Sequence, residues 1–137
     1  SQVSTLIGRR VPVDENNRLL DNCGWQLYGS TGSFSFKGDG KKNALCIWRI
    51  SGNMGNQIHL RITNLKLDSK FSWLRVLDGD NCGAPELKLV DTTVEFSPFN
   101  CTSTSTTMTV IFALALGSEE AEVAAAFIDT YTLKYRS

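Results

Sequence analysis

The chain has 137 residues, and its 14 basic and 14 acidic side chains cancel to a formal net charge of zero. Because no net field attracts it to nucleic acid or to an anionic membrane surface, neither is an expected partner. Hydrophobic residues make up 42% of the chain and charged residues 20%, which excludes intrinsic disorder and is typical of a globular domain. No apolar run approaches the roughly 20 residues of a membrane-spanning helix, so no membrane insertion is expected.

Residues 1–20 show little hydrophobic periodicity and are predicted to form an N-terminal arm or linker, which leaves 21–137 as the folded domain. Beyond the arm, apolar and polar residues alternate with the period of two that is typical of half-buried strands. The clearest case is 58–62, where His59 and Arg61 face away from the apolar side chains. Further strands are predicted at 33–36, 45–50, 73–77, 106–112 and, as one or two short strands, 87–96.

The C-terminal stretch carries two competing patterns. Residues 119–126 contain good helix formers, whereas 127–135 places aromatic and aliphatic side chains mainly on one parity. We predict a long final strand there. Many short strands separated by turns then predict an all-β fold, a two-sheet antiparallel β-sandwich. Trp25, Trp48 and Trp73 are expected in its core, and Trp25 or Trp73 would become a candidate binding hot spot if it were exposed.

Four cysteines lie too far apart in sequence for the paired ligands of a zinc site: Cys23, Cys46, Cys82 and Cys101. We interpret them as two disulfides, which implies an oxidising, extracellular compartment. The residues alone permit three pairings, and reduced thiols are the alternative. Asn100 begins an Asn-Cys-Thr sequence that fits the N-glycosylation pattern, so it is a candidate glycosylation site.

Side chains suited to catalysis are scarce. His59 is the single histidine, and its mid-strand position favours a residue on a sheet face over a catalytic base. A carboxylate pair such as Asp68 and Glu119 stays an open alternative, because the separation needed for glycoside hydrolysis depends on the fold. The acidic segment 78–81 has the spacing of an ion-binding loop, but Cys82 stands where an oxygen ligand is required, so a turn is predicted. We therefore predict that the chain is not an enzyme.

Several short motifs follow one another in a characteristic order. The most specific is Cys-x-Trp-x-Ile at 46–50, and a strand that ends in Asp-Gly spans 74–79. The remaining elements are a cysteine-glycine at 23–24, a glycine-aromatic strand at 32–36, a strand ending in leucine-x-leucine-acid at 58–68, and strands at 108–112 and 127–135. This ordered set resembles the CUB domain family, including its single-domain spermadhesin members.

The resemblance implies a jelly-roll-like β-sandwich outside the cell that serves as a protein-interaction or glycan-interaction module. It also implies that one end of the sandwich carries the ligand, with the loops around 68–72, 78–81 and 117–122 as candidates. The partner-binding residues expected from these loops are Asp68, Ser72, Asp78, Asp80, Asn81, Glu119 and Glu120.

The cysteines depart from the family pattern. The resemblance implies a disulfide between Cys23 and Cys46, but the family's second pair falls near positions 70 and 90, where this chain has no cysteine. Cys82 and Cys101 are then expected to pair with each other, since a leftover thiol is a liability outside the cell.

The acidic residues depart from the pattern too. Many family members bind calcium between loops through three carboxylates, because this hard cation requires oxygen ligands. The first position falls on Asp68, whereas the second falls near Ser72 and the third near Ala115, neither of which is acidic. Glu119 and Glu120 are the nearest substitutes. We expect no bound metal and no cofactor.

The leading functional hypothesis is a secreted recognition domain that binds an extracellular protein or glycan through its loops or a sheet face, without catalysis. A rigid, disulfide-bonded scaffold suits this role, because pre-formed loops lose little entropy on binding. One alternative is a non-catalytic interaction module of a larger secreted protease or receptor. Another is a self-assembling extracellular structural or fluid protein that forms homo-oligomers.

Overall fold

The computed structural model describes residues 23–38, 44–67, 70–114 and 121–131. These residues form the following strands, in chain order: β1 (Gln26–Tyr28), β2 (Thr31–Lys37), β3 (Ala44–Ser51), β4 (Asn56–Lys66), β5 (Trp73–Leu77), β6 (Glu86–Asp91), β7 (Phe99–Thr102), β8 (Thr107–Leu114) and β9 (Glu122–Tyr131). The predicted arm, 1–20, lies outside the described residues. Within the described part of the chain, no helix is long and apolar enough to span a membrane.

The strands pack as two sheets, which confirms the predicted β-sandwich. The five-stranded sheet has the order β1-β3-β8-β5-β6, and the four-stranded sheet has the order β2-β9-β4-β7. Neighbouring strands are antiparallel, except that β1 runs parallel to β3. The final strand is confirmed as β9, because pairing with both β2 and β4 outweighs the helical propensity of its alanines.

Two strands have no counterpart in the sequence pattern, and a third is shorter than the pattern predicts. β1 and β7 have only three and four residues, too few to show a period of two. For residues 87–96 the pattern predicts one or two strands, and the structure has one, β6, followed by a loop.

The core lies between the sheets and is built from the inward-facing half of each strand. Trp48 is fully buried and stacks on Phe34, with ring centroids 4.4 Å apart. Trp25 is also buried at 3% exposure, so both of these predictions are confirmed, whereas Trp73 is only half-buried. Each buried aromatic ring removes roughly 150–250 Å² of surface from water, so these rings contribute strongly to the stability of the core.

One glycine is fixed by this packing. Gly32 of β2 lies directly opposite Phe127 of β9, and two carbons of the Phe127 ring lie 2.6 Å from where a Cβ at position 32 would stand. Any larger residue there would displace the ring from the core. The glycine-aromatic motif at 32–36 is therefore a packing requirement in this chain.

The four cysteines do not pair as two disulfides. Cys23 and Cys46 are bonded, with their Cα atoms 4.9 Å apart, as the family resemblance implied. The predicted second disulfide is wrong: Cys82 and Cys101 are both free. The two residues belong to different sheets, since Cys82 is exposed in the connection between β5 and β6 whereas Cys101 is buried in β7, opposite Leu60 of β4.

Candidate partner-binding surface

The strand directions define two ends of the sandwich. At one end, which we call the cleft end, β4, β6 and β8 finish while β5 and β9 begin. At the opposite end, the turn end, β3 and β5 finish while β4 and β8 begin. Loops at opposite ends cannot contribute to one compact binding site.

The structure separates the predicted partner-binding residues. Ser72 directly precedes β5 at the cleft end, but it is fully buried and its side chain is not part of the surface. The segment 78–81 directly follows β5 and lies at the turn end. The expectation that these loops share one end is therefore wrong, because β5 runs the length of the sandwich between them. Asp68, Glu119 and Glu120 lie outside the described residues, so their roles stay predictions.

The polar groups of segment 78–81 stabilise the connection between β5 and β6. Both carboxylate oxygens of Asp78 accept hydrogen bonds from Thr104, one from its backbone N–H and one from its hydroxyl, each at 2.9 Å. The Asp80 carboxylate accepts a bond from the side-chain amide of Asn81 at 3.2 Å. The Asn81 side-chain oxygen accepts one from the backbone N–H of Gly83 at 2.8 Å. These contacts confirm the predicted turn and give the carboxylate of Asp78 a structural role.

The cleft end carries an apolar cleft that the sequence did not indicate. It has a volume of about 270 Å³ and lies between the last residues of β4 and the segment that follows β6. Its apolar lining comes from five side chains: Leu65, Leu67, Val90, Val94 and Phe96. Val94 is 59% exposed at the mouth of the cleft, whereas Val90 is buried at its base. Phe96 packs edge-on against Phe99, with ring centroids 6.2 Å apart.

The rim of the cleft is polar and includes Lys66, Asp91 and Thr92. A hydrogen bond from the Thr93 hydroxyl, followed by one from the Thr93 backbone N–H at 2.9 Å, lowers the pKa of Asp91 below its ordinary value. Asp91 therefore keeps its negative charge at neutral pH, directly beside an apolar lining.

A large exposed aromatic residue lies at the same end. Phe71, between β4 and β5, is 68% exposed, and the ammonium of Lys70 lies 5.3 Å from its ring centroid. Phe71, Val94 and Phe96 were not recognisable as site residues from the sequence. The pattern of 87–96 is typical of strand, and nothing local in a sequence tells which later segment will pack beside the end of β4.

A second, shallower concavity lies on the outer face of the four-stranded sheet, which we call the four-strand face. It has a volume of about 500 Å³ and is bordered by the side chains of His59, Arg61, Asn100, Thr102, Ala126 and Ile128. His59 Nδ1 and the Thr102 hydroxyl lie 3.1 Å apart, and Arg61 donates to the Asn100 side-chain oxygen at 3.1 Å. Asn100 is exposed on the edge strand β7, so its glycosylation stays a prediction that its position supports.

No group of three or more histidine, cysteine or acidic side chains able to hold a metal occurs among the described residues. This finding does not test the calcium expectation, because Asp68 and Ala115 of the family-like positions lie outside that part of the chain.

Two solved structures with the same fold are multidomain. The CUB1-EGF-CUB2 domains of rat MASP-1 match with a TM-score of 0.65 at 15% identity, over 83% of this chain and 45% of that one. The full extracellular region of zebrafish Gpr126/Adgrg6 matches with a TM-score of 0.62 at 18% identity, over 80% of this chain and 15% of that one. At such identities the likeness shows the fold alone.

The sequence comparisons are more specific. The mouse (Mus musculus) CUB and zona pellucida-like domain-containing protein 1 is 35% identical over 77 residues, which cover 51% of this chain and 13% of that protein. The chain thus spans a small part of the curated relative it matches. The sequence model of the CUB domain matches residues 22–127. Domains of this family are typically extracellular, non-catalytic protein-interaction modules. Since the match covers most of the chain and agrees with the fold, this chain belongs to the CUB domain family.

Proposed function

We propose that this CUB domain is a secreted recognition module that binds an extracellular protein partner at its cleft end, without catalysis. The observation that carries the proposal is the apolar cleft lined by Leu65, Leu67, Val90, Val94 and Phe96. A partner side chain inserted there would lose its contact with water, which is the arrangement found at the energetic centres of protein interfaces.

The surroundings of the cleft indicate the chemistry of the partner. Val94 and Phe71 are exposed apolar side chains at the same end of the sandwich, and exposed apolar surface of this kind is typical of interaction sites. Hydrogen bonds from Thr93 lower the pKa of Asp91 at the rim, which favours its charged form at neutral pH. The partner segment we propose presents an aliphatic or aromatic side chain next to a lysine or arginine that pairs with Asp91.

Part of the cleft lining is held by paired strands before binding. Leu65 of β4 pairs with Val123 of β9, and Val90 of β6 pairs with Leu74 of β5. Side chains held by paired strands lose little conformational entropy when a partner binds, so more of the burial energy appears as affinity.

The multidomain relatives support a further part of the proposal, that this domain acts as one module of a longer secreted protein. It spans 13% of the curated mouse relative and half or less of the structural neighbours. The module would then supply binding while other domains supply any activity.

The test is a capture experiment with matched variants. The oxidised chain is immobilised, its native extracellular fluid is passed over it, and retained proteins are identified by mass spectrometry. Val94→Arg places a long charged side chain in the mouth of the cleft at an exposed position, so the fold is retained. Ile128→Arg makes the same type of change on the four-strand face, where Ile128 is 46% exposed.

We expect a protein that is retained by the unchanged chain and by Ile128→Arg but is lost with Val94→Arg. Retention by both variants would place the binding site elsewhere. If the unchanged chain retains nothing beyond a reduced and alkylated copy, the recognition hypothesis itself is wrong. A parallel run with a calcium chelator tests the expectation that binding needs no metal.

A further inference from the structure

The concavity of the four-strand face has polar walls and a small apolar floor. Two rows of outward side chains cross it from β7 over β4 to β9, and the strand register gives them as Asn100–Arg61–Ala126 and Thr102–His59–Ile128. At the β9 end of these rows, Ala126 is exposed and Ile128 is 46% exposed. The face therefore offers hydrogen-bonding groups beside apolar surface that no described residue covers.

Asn100 borders this concavity from the edge strand β7. Arg61 donates to its side-chain oxygen Oδ1 at 3.1 Å, while its amide nitrogen Nδ2 has no hydrogen-bond partner among the described residues. Nδ2 is the atom to which an N-linked sugar is joined, and the linkage leaves Oδ1 unchanged. A sugar on Asn100 is thus compatible with the contact that fixes its side chain.

The sequence around Asn100 meets the requirement for glycosylation, and the structure removes an obstacle. Residues 100–102, Asn-Cys-Thr, are the single Asn-x-Ser/Thr match in the chain. Asn100 and Thr102 point to the same side of β7, because side chains two residues apart in a strand share a face. Cys101 between them is buried and free, so no disulfide at this position hinders the addition of a sugar.

We propose that Asn100 carries an N-linked glycan whose first sugars lie in the concavity of the four-strand face. The proposal rests on the extracellular location in the proposed function, since these glycans are added to secreted proteins. From β7 to β9 there are two strand spacings of about 4.8 Å, roughly 10 Å in all. Sugars joined to Asn100 pass over Arg61 and reach Ala126 within that distance.

The chemistry of a sugar ring fits the two rows. Its CH face packs on Ala126 and Ile128, and its hydroxyls form hydrogen bonds with His59 and Thr102. Because the glycan is tethered at Asn100, these contacts form at a high effective concentration and individually weak ones are sufficient.

The glycan has a consequence for assembly. An edge strand such as β7 presents backbone groups that can pair with another chain, and a bulky group beside it prevents this pairing. The four-strand face is then covered by the chain's own sugar, and the cleft end stays open to a partner.

Mass spectrometry of the intact chain tests the attachment. The full chain is secreted from cultured eukaryotic cells behind a cleavable signal peptide and is measured before and after digestion with peptide-N-glycosidase F. We expect a digestible glycan on the unchanged chain and its complete loss in Asn100→Gln. A secreted chain without a glycan overturns the proposal. Capture of a partner at the cleft end is measured independently, so this failure is distinguishable from failure of the proposed function.

His59 tests where the glycan lies, because it is the single histidine of the chain and borders the concavity. Modification of its imidazole by diethyl pyrocarbonate is followed by peptide mass spectrometry, at one pH for all proteins. The reaction should be about fourfold slower in the glycosylated chain than in Asn100→Gln, because a glycan seated in about three quarters of the molecules leaves a quarter accessible. Equal rates overturn the proposal.

A relocated glycan controls for bulk alone. Gly83→Thr, added to Asn100→Gln, creates an Asn-Cys-Thr sequence at 81–83 in the exposed connection between β5 and β6. A Cβ at position 83 meets only the flexible side chain of Asn81, at 3.3 Å. This glycosylated variant should react at His59 as fast as Asn100→Gln does, and slow reaction overturns the proposal.

A variant of the floor identifies the apolar contact. Ile128→Ser should speed the modification of His59 in the glycosylated chain and leave it unchanged in Asn100→Gln. The same change of rate in both backgrounds overturns the proposal, because the substitution would then act on His59 without the sugar.

Discussion

The two outer faces of the sandwich differ in the kind of side chain that they present. On the four-strand face, two neighbouring outward pairs of β2 and β9 are small: Ser33 lies opposite Ala126, and Ser35 lies opposite Ala124. On the outer face of the five-stranded sheet, which we call the five-strand face, the outward positions of β3 and β8 toward the cleft end are aliphatic: Leu45 lies opposite Ala113, and Ile47 lies opposite Ile111, which is only 5% exposed although it points outward. The first face has the composition of a solvated sheet surface, and the second has that of an interface.

β8 and β9 are both inner strands that pair on two sides, yet they carry different side chains on their outer faces. β8 lies at the centre of the five-stranded sheet and presents Ile111 and Ala113 on the half of its outer side that lies toward the cleft end. β9 occupies the centre of its own sheet but is lined by alanines on its outer side. Four sets of variants test this contrast between the faces.

The greatest loss of stability should come from removing the disulfide between Cys23 and Cys46, which links the segment before β1 to β3. The double variant Cys23→Ala/Cys46→Ala should lower the free energy of unfolding by about 3 kcal/mol, because a closed loop of this length restricts the unfolded chain. Urea denaturation measures it. Cys82→Ser, which breaks no disulfide, is the control; equal losses in the two variants would show that the bond contributes little.

Alanine substitutions of two outward-facing isoleucines, one on each face, compare how much each face contributes to the free energy of unfolding. Ile111→Ala should cost about 2 kcal/mol, because a nearly buried side chain leaves a cavity. Ile128→Ala should cost less than about 0.5 kcal/mol, because this residue is already half in solvent. Thermal or denaturant unfolding measures the loss of unfolding free energy in each variant. Similar costs would mean that the two outer faces are equally packed, contrary to their exposures of 5% and 46%.

The connection between β5 and β6 covers the turn end of the five-strand face, where the Thr109 hydroxyl donates to the Gly79 carbonyl. We expect Asp78 to stabilise this connection. Asp78→Ala removes both acceptors of Thr104, and we expect a loss of about 1 kcal/mol. Asp80→Ala is the matched control, since its carboxylate contacts only an adjacent exposed amide in the described residues. Hydrogen exchange of residues 79–84 provides a second measurement. Faster exchange in Asp80→Ala than in Asp78→Ala would contradict this assignment.

The least change in stability is expected at the free cysteines. Cys82→Ser should change the unfolding free energy by less than about 0.5 kcal/mol, as is usual for exposed positions. The two thiols should nevertheless differ in reactivity, because burial raises the pKa of the Cys101 thiol, against a small opposing influence of Lys88. A raised pKa leaves less thiolate at any given pH, and the thiolate is the reactive form.

Alkylation followed by peptide mass spectrometry separates the two cysteines. Native protein at about pH 8 should be alkylated at Cys82 alone, and Cys101 should react only after denaturation. Disulfide-linked peptides that contain both residues would contradict the structure and favour a bond between them.

Much of the fold was predictable because apolar and polar residues alternate along several of its strands. The strand at 58–62 shows its inward side chains in the sequence itself, and the ordered motifs, above all those at 46–50 and 74–79, are enough to indicate the family. The short strands β1 and β7 were not predictable, since their pairing partners are distant and they contain too few residues to show a period.

The candidate site was less predictable than the fold. The cleft forms because residues 90–96 return beside the end of β4, a contact set by the sheet order and by no local pattern. The same reason explains the wrong pairing of Cys82 with Cys101, because the spacing of cysteines does not reveal the sheet to which each belongs. For the same reason, the sequence did not show that the loops at 68–72 and 78–81 lie at opposite ends of the sandwich, with β5 between them.

The bond between Cys23 and Cys46 determines how the domain responds when its chain is pulled from the N-terminal side. Tension applied to the preceding chain reaches Cys23 and passes covalently to β3, so the three-residue strand β1 carries no load. β3 is held to β8 by eight residue pairs, which must be sheared before the sheet yields. In a reducing environment the same pull would act first on β1 and peel it from β3 one pair at a time, so the force that this domain withstands depends on its redox state.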